Sequence, residues 1–174
     1  LPALALGVDP PEEGQMREAP READAPILGR QDWIDVLLVG CLMAASAMAR
    51  YFLPQWDGVR DAAEVSRSKL TLVFTLLALS PLAHAFNCRS RVESIFSLGF
   101  FSNRFLVGAV VISALIHAVS LVVPTLQPVF RTDHHWSGQE IAIVVAASLL
   151  PIPVVEAAKW FMRRRKKSES ARPT

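Results

Sequence analysis

The sequence predicts an all-α membrane protein with four transmembrane helices, and three observations predict it. Hydrophobic residues make up 52% of the 174, and the mean hydropathy is positive, above the ordinary range for soluble domains. The charged residues gather in blocks separated by long uncharged runs, the segregation that a bilayer imposes because a charge buried in it is costly. The run from Phe105 to Val123 has no polar face, which a helix of a soluble bundle would need. A formal charge of +2 says little about partners, and nothing points to nucleic acid.

The chain opens on LPALALG and passes at once into PPEEGQMREAPREADAP. It lacks the basic start, long apolar region and small-residue cleavage site of a secretory signal, so the opening reads as a cut through a longer chain. Residues 8–32 are rich in Pro, Glu, Asp and Arg, carry no apolar period, and read as a polar loop. Cys41 and Cys88 fall in an apolar run and at a basic helix end, so no disulfide framework is implied.

The first span runs from Trp33 to Leu53 and is uncharged between Val36 and Ala49. Asp35 and Arg50 can reach the interfaces, with Trp33 and Tyr51 as aromatic anchors. Gly40 and Ala44, then Ala45 and Ala49, place small residues four apart, a pattern suited to close helix packing. Residues 54–69 form a polar connection, and Leu70 to Phe86 makes the second span. A basic, partly amphipathic segment, NCRSRVESIFSLGFFSNR, leads into the third, from Phe105 to Phe130, whose helix should stop near Pro124. After RTDHHWSG the fourth span runs from Gln139 to about Met162, with Pro151 and Pro153 marking a kink.

Lys and Arg near the span ends set the orientation. Arg89, Arg91 and Arg104 in loop 87–104, and Arg163 to Lys167 in the tail, place both segments in the cytoplasm. Four spans then return residues 8–32 to the same side. The opposite side carries Arg60, Arg67, Lys69 and Arg131, partly balanced by Asp57, Asp61, Glu64 and Asp133.

Within the spans, Ser80, His84 and Asn87 recur at i, i+4 and i+7 on one helical face, with Pro81 freeing a carbonyl one turn earlier. That face can line an ion path, or it can serve interhelical hydrogen bonding; the sequence leaves both open. Ser113, His117 and Ser120 repeat the spacing in the third span, where His117 lies deeper and needs a partner. Asp133, His134 and His135 are of the right types for a transition metal, but adjacent histidines in a loop are a weak signal. Glu156 and Lys159 can pair or snorkel toward the basic tail, which can itself meet anionic lipid. There is no GxxxxGK[ST], GxSxG, HExxH or paired-Cys motif, and no Asp-Lys-Thr-Gly, so the sequence names no catalytic residue and no cofactor-binding residue.

Several separated stretches stand in a known order. LPALALGVDPPEEGQM, the four spans, HAFNCRSRVESIF, SLGFFSNRFL and VVEAAKWFMRRR together resemble the C-terminal membrane region of P-type cation-transporting ATPases, the calcium-pump group in particular. The most specific pieces are His84-Ala85-Phe86-Asn87-Cys88-Arg89-Ser90 and Asn103-Arg104. The resemblance implies that Leu1 to Pro11 contains the end of the family's sixth membrane helix and that the four spans are its seventh to tenth. It divides the chain into a helix end with a cytoplasmic loop at 1–32, a four-helix bundle at 33–163 and a basic cytoplasmic tail at 164–174.

In that family ATP phosphorylates an aspartate in a cytoplasmic domain, and the cation passes through sites among the fourth, fifth, sixth and eighth helices. The complete pump would use ATP and Mg. This chain carries neither those domains nor the front of the sixth helix, so it should be inactive alone, with the rest of the pump, the transported cation and the bilayer as its partners. Some relatives place an acidic or amide ligand on the eighth helix about three residues before the position of His84, where this sequence has Pro81. Proline offers no side-chain oxygen, which puts a second cation site in doubt. The rival reading is a free-standing four-helix membrane anchor, sensor or assembly protein.

Overall fold

The computed structural model describes residues 1–9, 26, 29–52, 62–90, 93–132 and 136–170, the side chains of 62–64 and 165–170 excepted. Asp133, His134 and His135 lie outside the described residues. Eight helices are described: α1 (Pro2–Leu6), α2 (Arg30–Phe52), α3 (Ala62–Asn87), α4 (Ile95–Leu98), α5 (Arg104–Val122), α6 (Gln127–Phe130), α7 (Gly138–Ser148) and α8 (Pro151–Ser170). Four spans are long and apolar enough to cross a membrane: α2, α3 from Val65, α5, and α7 continued into α8 as far as Arg164. At 1.5 Å per residue the 23 residues of α2 reach about 35 Å, against a hydrocarbon core of about 30 Å. The protein is an integral, multi-pass membrane protein.

The second helix begins earlier than the apolar run indicates. Residues 62–69, assigned to a connection by their polarity, already belong to α3. Ala, Glu, Arg and Lys are good helix formers, so a helix needs no apolar stripe to extend beyond the bilayer. Asn103 starts α5 by accepting from the Leu106 amide at 2.9 Å, and α5 ends at Val122, two residues before Pro124. Ser137 and Glu140 form a capping box at the start of α7. The fourth span is two helices rather than one kinked helix, because Pro151 and Pro153 each remove a backbone donor and the helix is interrupted at Leu149–Leu150.

α3 is the central element and packs against α1, α2, α5, α7 and α8. Its buried stripe runs Leu72, Leu76, Ser80, Ala83, Asn87. The opposite stripe, Leu70, Phe74, Leu77, Pro81 and Cys88, is exposed. One core cluster joins α2, α3 and α7 through Ala47, Leu72, Leu76 and Val144. The other joins α1, α3, α4 and α5 through Ala5, Ala85, Phe86, Ile95 and Leu106. Along α5 the residues Val111, Ile112, Leu115, Ile116 and Val119 remain about half exposed or more, an apolar surface suited to lipid. Gly40, Ala44, Ala45 and Ala49 are also exposed, and a Cβ added at Gly40 would meet nothing within 4 Å. Among the described residues, the small-residue pattern therefore does not pack helices together.

Candidate functional site

Loop 88–103 gathers polar residues at the end of the bundle where α3 and α8 finish their spans, and Arg89, Ser94 and Asn103 are each held by a group from a distant element. Arg89 is the centre. Its Nε and Nη2 donate to the two carboxylate oxygens of Asp9 at 2.8 and 3.0 Å, a two-pronged contact that the planar guanidinium suits. Its Nη1 donates to the Gly99 carbonyl at 2.9 Å and its Nη2 to Ser102 Oγ at 2.8 Å. The Arg89 side chain is 2% exposed. Gly99 has φ of +79°, a conformation other residues adopt only under strain, so the carbonyl facing Arg89 depends on glycine.

Asn103 adds a second tie to the same place. While its Oδ1 caps α5, its Nδ2 donates to the Ala5 carbonyl at 3.1 Å. Asp9 and Ala5 flank the end of α1, so α1 is fastened to both the loop and the start of α5. Phe86 and Phe100 stack beneath, ring centroids 4.1 Å apart.

The loop's other side is held by α8. Lys159 Nζ donates to the carbonyls of Asn87 and Glu93 at 3.1 and 3.2 Å and lies 3.6 Å from Glu156 Oε1. Glu156 accepts from Ser94 Oγ at 2.6 Å and from the Ile95 amide at 3.1 Å, at the start of α4. The two residues do pair, as their spacing allows. They do not snorkel to solvent: Lys159 is 3% exposed, and both face the loop rather than the tail.

Asn87 Nδ2 donates to the Pro151 carbonyl at 2.9 Å and lies 3.4 Å from His84 Nδ1. Because Pro151 O can only accept, the amide orientation is fixed, and Asn87 Oδ1 is left buried without a hydrogen-bond partner. Ser80 Oγ is buried and also unpartnered. His84 is half-buried. Ser80 and Asn87 thus face the other helices of this chain, and Pro81 lies on the exposed stripe. In the third span His117 has the partner its depth requires: Nε2 is 3.2 Å from Thr75 Oγ1, and its ring packs against Phe74. The Ser120 hydroxyl donates within its own helix, to the His117 carbonyl at 2.7 Å.

Arg50 corrects the expectation that it reaches an interface. It is 4% exposed, and its Nη2 lies 2.8 Å from Glu140 Oε1. Glu140 also closes the capping box through its Oε2, which accepts from the Ser137 amide at 3.2 Å. Ninety residues separate the partners, and no local spacing rule connects them.

The described residues thus form a polytopic helical bundle whose loop is tied by buried polar contacts to a short preceding helix. Residues 1–161 match the family described as Cation transporting ATPase, C-terminus, and the chain belongs to that family. It is similar to Calcium-transporting ATPase 1 of Bacillus cereus, 32% identical over 170 residues that cover 91% of this chain and 19% of that protein. It is 32% identical to the Calcium-transporting ATPase of Bacillus subtilis over 87% of this chain and 16% of the relative. With Calcium-transporting ATPase 1 of Schizosaccharomyces pombe the identity is 30%, over 94% of this chain and 18% of the relative. The chain spans less than a fifth of the length of these relatives.

Proposed function

We propose that this chain is the C-terminal membrane scaffold of an ATP-driven pump for calcium or a similar cation, and that its polar clamp holds the end of the pump's sixth helix. The observation that carries this reading is the double fastening of α1, by Arg89 to Asp9 and by Asn103 to Ala5. A helix that moves with the transported ion needs a fixed point against which to move. Buried contacts to loop 88–103 and α5 supply one. ATP and Mg would act in the rest of the pump, which would also supply the main cation ligands.

The two stripes of α3 favour packing over ion handling for Ser80, His84 and Asn87, since Ser80 and Asn87 face the scaffold. The exposed stripe bearing Pro81 is the one left for the pump's other helices, and Pro81 offers the ion no oxygen there. In this reading loop 88–103, residues 8–32 and the tail lie in the cytoplasm. The domain division is a helix end and loop at 1–32, the bundle at 33–163, and the tail at 164–174.

The test uses the full-length protein in sealed vesicles. ATP-dependent calcium uptake is expected, reduced in R89A and retained in S80A. Failure to accumulate calcium or any other cation with ATP, or ATP hydrolysis by the 174 residues alone, would sink the proposal.

A further inference from the structure

Loop 88–103 carries large apolar side chains that the described residues do not cover. Phe96 on α4 is 80% exposed and Phe101 is 73% exposed, while Phe105, the second residue of α5, is 70% exposed. The neighbouring Ile95 turns the other way, into the core, at 1% exposed. We infer that this loop is an interfacial anchor, with Phe96 and Phe101 inserted where phospholipid headgroups meet the acyl chains.

Depth favours lipid as the occupant. Glu156, which accepts from Ser94 Oγ and the Ile95 amide at the start of α4, stands eight residues before Arg164, the end of the fourth span. Along a helix that is about 12 Å. A hydrocarbon core is crossed in about 20 residues, so a crossing that starts at Gly138 ends near Ala157, beside Glu156. The start of α4 is therefore level with the edge of the core.

The backbone of the loop is satisfied as that depth requires. Irregular backbone in a membrane is tolerated where its polar groups bond within the protein. Lys159 donates to the Asn87 and Glu93 carbonyls, Arg89 donates to that of Gly99, and Glu156 accepts from the Ile95 amide. Lys159 and the Arg89 side chain are both buried while they serve these groups.

The phenylalanines also extend a surface already suited to lipid. Phe105 shares a helical face with Ile112, Ile116 and Val119 at i+7, i+11 and i+14, all of them exposed. Polar groups stand where headgroups would meet them. Arg104, exposed at the first position of α5, can reach a lipid phosphate. Exposed Glu93 and Ser97 bond each other at 3.0 Å, giving α4 a polar side next to Phe96.

The test is independent of the pump reading, because it uses neither ATP nor calcium. The full-length protein, its cysteines replaced by serine, is reconstituted in phosphatidylcholine nanodiscs with one nitroxide label at a time on F96C, F101C or I116C. All three side chains are exposed, so the labelled variants should fold. Power-saturation EPR compares collisions with oxygen, which concentrates in lipid, and with a nickel chelate, which stays in water. Position 116 supplies the value for the lipid-facing side of α5. Oxygen collisions should exceed nickel collisions at 96 and 101, by a smaller ratio than at 116. An excess of nickel collisions at either position places it in water, and low access to both reagents at either position means that protein covers it. Each of these outcomes overturns the inference.

Discussion

Replacing Arg89 removes four hydrogen bonds at once, and the geometry allows its parts to be separated. In R89A the Asp9 carboxylate, whose side chain is only 14% exposed, loses both prongs of its partner, while the Gly99 carbonyl and Ser102 hydroxyl each lose one bond and keep the one between them. Breaking a buried ion pair from one side costs about 3–5 kcal/mol, chiefly because the remaining charge is stranded. R89K keeps a cation near Asp9, but a point charge cannot span the carboxylate, Gly99 O and Ser102 Oγ together. Its cost should be about 1.5–3 kcal/mol, the loss of charge-assisted hydrogen bonds. D9N should fall in the same range, with Arg89 still held by Gly99 and Ser102. The double variant R89A/D9N should cost less than the sum of the two, because no carboxylate is left stranded. The measurement is equilibrium unfolding of the full-length protein in mixed micelles, followed by a fluorophore placed in loop 88–103. If R89A lies within about 0.5 kcal/mol of wild type and adds linearly with D9N, the contact is an ordinary surface pair and the clamp argument fails.

The other predictions concern separate contacts in the same protein. E140Q preserves the capping box while stranding the buried Arg50 charge, so it should lose about 3–5 kcal/mol in the same assay, and R50M/E140Q should recover part of that loss. N103A removes both the α5 cap and the tie to Ala5, and should cost about 1–2 kcal/mol in stability. S80A deletes a buried hydroxyl with no partner; it should leave stability unchanged or slightly raised and leave transport unaltered. H117F should cost about 1 kcal/mol by removing the interhelical contact to Thr75 Oγ1, which keeps its bond to the Thr71 carbonyl, measured against T75V in a double-mutant cycle.

Much of the architecture was legible in the sequence because a bilayer writes itself as hydropathy. The uncharged runs place four spans, and Pro124 and the Pro151–Pro153 pair mark where helices stop. The early start of α3 was hidden for the same reason: residues 62–69 are polar, and hydropathy registers the membrane rather than the helix. At the site, Asn87 stood out by its spacing from Ser80 and His84, Arg89 as a basic residue at a span end, and Asn103 only through family resemblance. Their physical roles depend on Pro151, Asp9 and Ala5, each far away in sequence. The i, i+4, i+7 spacing placed Ser80 and Asn87 on one face, but could not say whether that face met an ion or a neighbour. Thr75 drew no notice, since a Thr within a span commonly bonds its own helix, as this one also does with the Thr71 carbonyl.

The Arg50–Glu140 pair sets an order of events during biosynthesis. Arg50 leaves the ribosome 90 residues before the carboxylate that neutralises it, a wait of ~5–20 s at ordinary rates of chain elongation. Through that interval the first span can reside in the bilayer only with its arginine drawn to the water at the membrane surface. The guanidinium becomes enclosed once α7 arrives. The fourth span therefore completes the first, and a nascent chain truncated ahead of Glu140 should expose Arg50 to aqueous reagents that the finished bundle excludes.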